Sequence, residues 1–307
     1  MHRFSAESIA GRLTRPEKCG MINLTKTDEI PQCGGIKGES AMKNASENAF
    51  RQALASGRRL IGTHVNLTDY RICEILGQAG FDYLWIDMEH VGTSFADMER
   101  HLIAAKAAGT PCLVRVPWNE IPQIKRVLEA GPDAIVVPMV NSVEEARQAI
   151  DTCIYPPEGK RGFGPCRAVR YGMDSARDYI DRISKQLCRF VQIESEDAVN
   201  AMDGMAEIPY LDGFILGPMD LSGSVHELGH IMDGKETTRL IALAVEKAHR
   251  AGKPIGLSVG TTNPAELQFW LDKGVDFISA GSDVGSILNG ALTLAADLRR
   301  LTESKAD

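Results

Sequence analysis

The chain has 307 residues, 44% hydrophobic and 24% charged, the balance of a globular protein with room for one large α/β barrel or two smaller domains. A formal net charge of −7 and the lack of any basic stripe argue against a nucleic-acid partner. No apolar stretch reaches the ~20 residues of a membrane span, so no membrane association is expected.

Residues 1–41 lack periodicity and carry Pro16, Gly20, Pro31 and Gly34-Gly35; they read as a flexible N-terminal extension without a secretory signal. Met42 makes a natural start for the folded domain, 42–307. From there strand-like runs near 60–65, 82–87, 112–116, 133–138, 188–194, 211–216, 254–258 and 275–280 alternate with helical patterns. The helices fall near 69–79, 94–108, 120–130, 142–151, 195–203, 236–251, 263–273 and 283–301. Gly80, Gly109, Gly131, Gly252 and Gly274 each end a helical pattern ahead of a strand. Eight βα units over roughly 250 residues predict a (β/α)8 TIM barrel. An open doubly wound sheet is the alternative, but its glycine-rich first turn is missing. The fourth unit carries a long insertion, Tyr155–Pro165, followed by a helical stretch near 175–186; loops of that length are commonly functional.

Seven cysteines, an odd number without paired or zinc-site spacing, fit a reducing, cytoplasmic setting better than a disulfide framework.

Active sites of barrels lie at the carboxyl ends of the strands. In this chain those ends read His64 and Asn66, then Asp87, Glu89 and His90, then Arg115, Glu194 and Asp220. The opposite ends show Arg58, Arg59, Asp82, Asp212 and Lys253, which read as solvated charges. Phe190-Val-Gln-Ile-Glu194 and Phe214-Ile-Leu-Gly-Pro-Met-Asp220 are buried-strand patterns that stop at a carboxylate, with Gly217 permitting close approach. Glu194 and Asp220 can therefore hold a hard divalent cation with positions left for substrate. Each can instead cap the helix that follows.

Arg115 in an apolar strand calls for an anion or oxyanion, or for a structural pairing with Asp87 or Glu89. His90, beside two carboxylates, suits proton transfer near neutral pH. No lysine ends a strand, so a Schiff-base mechanism lacks its nucleophile. Gly281-Ser-Asp-Val-Gly285 can bind phosphate or form an ordinary turn.

The blocks Trp85-Ile-Asp-Met-Glu-His90, Val114-Arg-Val-Pro-Trp-Asn119, Val136-Val-Pro-Met-Val140, Tyr155-Pro-Pro-Glu-Gly-Lys-Arg-Gly-Phe-Gly164, Val191-Gln-Ile-Glu194 and Gly217-Pro-Met-Asp-Leu-Ser222 resemble the HpcH/HpaI aldolase family of class II, metal-dependent pyruvate aldolases. The resemblance runs from about Phe50 to Leu301. It implies a TIM barrel with its last helix exchanged between subunits, in a hexamer built as a dimer of trimers.

It also implies Glu194 and Asp220 as ligands of Mg2+, Mn2+ or Co2+, and Arg115 on the keto or enolate oxygen. His90 is then catalytic, with Asp87 orienting it, while Glu89, Gln192, Gly217, Met219 and Asp220 line the substrate pocket. His64 stands where several family members carry tryptophan, and Met88 and Met219 where residues are often smaller. These changes bear on which aldehyde is used.

The activity so implied is reversible cleavage of a 4-hydroxy-2-oxo acid to pyruvate and an aldehyde, with oxaloacetate decarboxylation as a side reaction. Two alternatives stay open: a CoA-thioester lyase of the citrate lyase β-subunit or malyl-CoA lyase type, and a catalytically silent metal-binding barrel.

Overall fold

Strands apolar on both faces must be covered on both, and a closed parallel sheet ringed by helices does so without leaving an edge. The computed structural model describes residues 48–303, so the expected extension 1–41 and the start at Met42 lie outside it. The strands are β1 (Leu60–Val65), β2 (Tyr83–Asp87), β3 (Cys112–Arg115), β4 (Ala134–Val137), β5 (Cys188–Ile193), β6 (Gly213–Leu216), β7 (Ile255–Val259) and β8 (Phe277–Ser282). All pair in parallel in chain order, and β8 closes on β1.

The helices are α1 (Ala49–Ala55), α2 (Arg71–Gln78), α3 (Phe95–Ala107), α4 (Ile121–Ala130), α5 (Val143–Cys153), α6 (Ala176–Asp181), α7 (Glu196–Ala206), α8 (Pro218–Ser224), α9 (Lys235–Arg250), α10 (Pro264–Asp272) and α11 (Asp283–Glu303). Every expected strand and main helix is present, with ends displaced by a few residues.

Period-two alternation divides each strand between two cores. Leu84, Ile86, Val114 and Val191 face outward to the helices, whereas Tyr83, Trp85, Phe190 and Phe277 fill the barrel. Ring bulk inside demands space opposite. A Cβ on Gly62 would lie 2.5 Å from Tyr83 Cζ, and one on Gly256 would lie 2.2 Å from Phe277 Cε2.

Helix α1 closes the amino-terminal end of the barrel, and no sequence periodicity had revealed it because seven residues are too few. Its Phe50 is fully buried and meets Tyr83, Phe277 and Phe190 edge-on at centroid distances of 5.1, 5.9 and 6.1 Å. Burial of such a side chain contributes about 2–3 kcal/mol.

Of the amino-terminal charges, Arg58, Asp82 and Asp212 are paired rather than merely solvated. Arg58 forks onto Asp82 at 2.9 and 2.6 Å, and Asp212 accepts from Arg51 and from the amide of Arg189, both at 2.8 Å.

Two features of the fourth unit gain a location and a boundary. The insertion follows α5, so it returns along the amino-terminal side, away from the catalytic rim. There it helps wall a cavity of about 660 Å3 with Arg161, Arg167 and Tyr179. The helical stretch near 175–186 is not continuous: α6 stops at Arg182, whose φ of −126° breaks the helix, and a 3-10 turn at Ile183–Gln186 follows.

Candidate active site

Register brings the first pair together. Asp87 and Arg115 are Cα partners across β2 and β3, so both side chains leave the sheet on the same side. Arg115 Nε donates to Asp87 Oδ1 at 3.0 Å and Nη2 donates to Oδ2 at 2.6 Å. Both residues are about 95% buried, and the guanidinium also lies 5.4 Å from the centroid of the Trp85 ring. Burial pushes the Asp87 carboxyl up, but the hydrogen bonds and charge of Arg115 outweigh it and hold it below the usual carboxylate range.

The remaining edge of the fork points across the barrel. Arg115 Nη1 is 3.0 Å from Glu89 Oε2 and donates to Gln192 Oε1 at 3.4 Å. Gln192 Nε2 passes a 2.6 Å hydrogen bond to Glu194 Oε2. Glu194 Oε1 accepts the backbone N–H of Met139 at 2.5 Å. Met139 holds a left-handed φ of 54°, a conformation that costs a non-glycine residue about 1–3 kcal/mol and aims this amide at the carboxylate.

Neither acid is a helix cap. Ser195 caps α7 by accepting from Ala198 N, and Asp220 is the third residue of α8, whose N-cap position is Gly217. A Cβ at Gly217 would fall 2.7 Å from Gln192 Nε2 and 2.9 Å from Glu194 Oε2, so only glycine lets β6 approach this closely.

Three carboxylates share the space. Burial first, then the charges of Glu89 and Asp220, push Glu194 up to about 7 against the Met139 hydrogen bond. Burial likewise pushes Glu89 up to about 7; Arg115 opposes the shift while Asp87 and Asp220 add to it. Glu89 Oε2 is buried and accepts no hydrogen bond despite its ion-pair contact.

Arg115 is largely neutralised by Asp87, which leaves this carboxylate group short of positive charge. A hard divalent cation with oxygen ligands and open positions fits that deficit. Glu194 and Asp220 are the two acids that could hold it; among the described residues no group of three or more His, Cys, Asp or Glu is placed to hold a metal ion.

His90 stands apart from its expected partner. Both oxygens of Asp87 face Arg115, and the nearest acid to the half-exposed imidazole is Glu89, with Nε2 to Oε2 at 3.6 Å. β2 ends at Asp87, so His90 lies in the loop beyond the strand and its side chain is exposed.

His64 is buried, with Nδ1 2.7 Å from Gly281 O and Nε2 2.9 Å from Ser258 Oγ, so it meets the pocket only through Ser258. Met219 is half exposed on the first turn of α8, and Met88 is buried in the outer core. Gly281–Gly285 is an ordinary turn: Asp283 fills it by accepting from the amides of Asn66, Leu67 and Val284.

Sequence reasoning missed Met139 and Ser258. Nothing in the sequence foretells the left-handed turn at Met139. Alternation along Ile255-Gly-Leu-Ser-Val259 does assign Ser258 to the barrel interior.

The family model described as HpcH/HpaI aldolase/citrate lyase matches residues 60–290. A hydroxypyruvate/pyruvate aldolase of Agrobacterium fabrum is 35% identical over 252 residues, covering 82% of this chain and 94% of its own. A 4-hydroxy-2-oxo-heptane-1,7-dioate aldolase of Shigella sonnei is 33% identical over 250 residues, covering 81% and 94%. The crystal structure of an HpcH/HpaI aldolase/citrate lyase family protein from Burkholderia cenocepacia superposes with a TM-score of 0.76 at 30% identity, covering 82% of this chain and 99% of that one. With the barrel, the Asp87–Arg115 fork and the facing acids already in place, this chain belongs to the HpcH/HpaI aldolase/citrate lyase family.

Proposed function

We propose that the chain is a class II pyruvate aldolase that reversibly cleaves a 4-hydroxy-2-oxo acid into pyruvate and an aldehyde. The observation that carries this reading is Arg115: locked by Asp87, it presents its remaining edge towards Glu89, Gln192 and Glu194 at one rim.

A divalent cation held by Glu194 and Asp220 supplies, when bound, positive charge beside the 2-oxo group, where negative charge develops during cleavage. Arg115 orients the 2-oxo acid and stabilises the charge that develops on its 2-oxo oxygen. By their position in the first turn of α8, the amides of Met219 and Asp220 have no intrahelical acceptor and can receive the substrate carboxylate. His90, on the exposed edge, takes the proton of the C4 hydroxyl during cleavage and returns it during addition. Glu89 is its neighbour in that transfer. Oxaloacetate, whose decarboxylation leaves the same enolate, is proposed as a side substrate.

Mg2+, Mn2+ or Co2+ is the proposed cation. The domain is proposed as residues 42–307. A cytoplasmic setting is supported by the five described cysteines, all of them free, and no described helix is long and apolar enough to cross a membrane. A homo-oligomer, expected as a hexamer with α11 exchanged, is supported by Ile287, Leu288, Leu292, Leu294 and Leu298, each more than half exposed along α11.

The test is pyruvate release across 4-hydroxy-2-oxo acids before and after EDTA. Loss of activity with EDTA, and its return on adding Mn2+, is expected; full activity of the metal-free protein refutes the scheme.

A further inference from the structure

The cavity of about 660 Å3 on the amino-terminal side of the barrel has no part in the proposed chemistry. Its walls come from the end of α3, from the residues that lead into β3 and β4, and from the insertion after α5. Residues 110–112 and 131–133 enter β3 and β4 from this side, whereas Arg115 ends β3 on the other. The cavity and the candidate active site therefore lie at opposite ends of the barrel.

Its charge runs against that of the chain. Lys106, Arg161, Arg167 and Arg170 line it against only Asp133 and Asp174, an excess of positive charge in a protein whose formal net charge is −7. Both acids are already engaged. Asp174 takes the fork of Arg170, with Nε to Oδ2 at 2.9 Å and Nη2 on Oδ1. Asp133 Oδ2 accepts the backbone N–H of Cys112 at 2.9 Å, and burial pushes its carboxyl up despite that bond and the charges of Lys106 and Arg167. Among the described residues, neither Lys106 nor Arg167 forms a salt bridge. Helix carboxyl ends attract cations, and Arg167 Nη1 donates to Ala130 O at the end of α4. That bond uses one N–H of the five on the guanidinium and does nothing for the Lys106 ammonium.

Arg161 adds a second, independent sign. It is 3% exposed, and its Nε has no acceptor. Its Nη2 reaches Tyr179 Oη and Glu129 Oε1 only at 3.3 and 3.4 Å. The rings of Tyr155 and Tyr179, with centroids 4.6 and 5.7 Å from the guanidinium carbon, hold it in place. A buried guanidinium so weakly satisfied is costly unless an anion completes its hydrogen bonds. Leu102, Pro111, Leu128 and Ile183 give the same cavity an apolar wall, and its volume is that of a small-molecule site.

We propose that this cavity binds a small organic oxyanion, a phosphate monoester or a carboxylate carried on an apolar body, with Lys106, Arg161 and Arg167 as its charged contacts. The site goes beyond the aldolase reading and does not depend on it.

The experiment is calorimetric titration of the full chain in about 0.15 M NaCl, which screens loose surface binding. The probes are phenyl phosphate, phthalate, inorganic phosphate and phenol. Phenyl phosphate or phthalate is expected to bind with a Kd below about 1 mM, at least about fivefold tighter than inorganic phosphate or phenol. The tighter of the two names the anionic group that the site takes. Lys106→Ala and Arg167→Ala each weaken that binding about tenfold, the loss of one charge-assisted hydrogen bond. Both variants keep the wild-type melting temperature and the wild-type rate of pyruvate release. Arg115→Lys, at the other end of the barrel, leaves the affinity unchanged.

The inference is overturned if no probe binds below about 1 mM, or if affinity is the same in both alanine variants. Loss of binding in Arg115→Lys assigns the anion to the active site and overturns it as well. Inorganic phosphate or phenol binding as tightly as phenyl phosphate and phthalate overturns the ligand class. Binding without any pyruvate release overturns the aldolase reading and leaves this site standing.

Discussion

Asp87 and Arg115 meet fork to fork between adjacent strands, Nε to Oδ1 at 3.0 Å and Nη2 to Oδ2 at 2.6 Å, at a site from which water is nearly excluded. A bidentate pair of this kind fixes the plane of the guanidinium, so its third edge has one direction in which to bind an anion. Arg115→Lys keeps the charge and loses the plane. The expected outcome is a fall in kcat of about 10^2-fold or more, while circular dichroism stays native. Steady-state kinetics with the coupled pyruvate assay checks it.

Removing the other partner has a different signature. Asp87→Ala leaves a buried guanidinium without its main acceptor and is expected to cost about 3–5 kcal/mol of stability. Denaturant unfolding measures that loss. If Asp87 served chiefly to orient His90, activity would fall with little change in the unfolding midpoint.

Glu194→Gln keeps the shape and one of the two contacts, its amide oxygen accepting from either Met139 N–H or Gln192 Nε2, but removes a negative charge from the cation site. Binding of Mn2+, followed by calorimetry or electron paramagnetic resonance, is expected to weaken at least tenfold. Unchanged affinity would move the ion elsewhere.

Stability should also report His101, which is fully buried on α3. Burial lowers its affinity for protons, with Asp97 and Asp283 opposing the shift. Its folded pKa is therefore below the unfolded value near 6.5, and as pH falls the unfolded chain takes up a proton that the native state refuses. Stability is fully present above about pH 6.5 and is lost as pH drops through the lowered folded pKa. The raised Glu89 and Glu194 act in the opposite sense, but they are common to wild type and variant. In the difference between the metal-free wild type and His101→Leu, the wild type is expected to lose about 2–4 °C more between pH 7.5 and 5.5. Thermal melts at several pH values measure this.

The exposed leucines of α11 predict assembly. Leu292→Glu places a charge in the middle of the apolar stripe, and light scattering should show a smaller particle with unchanged helicity. An unaltered mass would assign the oligomer contact to another surface.

Much of this protein was written in its sequence. Apolar runs ended by glycine-closed helices encode the eight βα units, because strand and helix periodicity are local properties of the chain. The rule that chemistry gathers at strand carboxyl ends then selected Asp87, Glu89, Arg115, Glu194 and Asp220. What a linear pattern lacks is direction: it could not decide whether Asp87 serves Arg115 or His90, since that choice follows from the Asp87–Arg115 register across β2 and β3. Nor could it show that the insertion returns on the amino-terminal side, that Phe50 plugs the barrel, or that a left-handed Met139 offers its amide to Glu194. The His64–Ser258 pair joins residues 194 positions apart, and only closure of β8 onto β1 brings β7 near enough for a hydroxyl to reach that ring. Local periodicity determined the elements; barrel closure and register decided which side chains face one another, because those are contacts between distant parts of the chain.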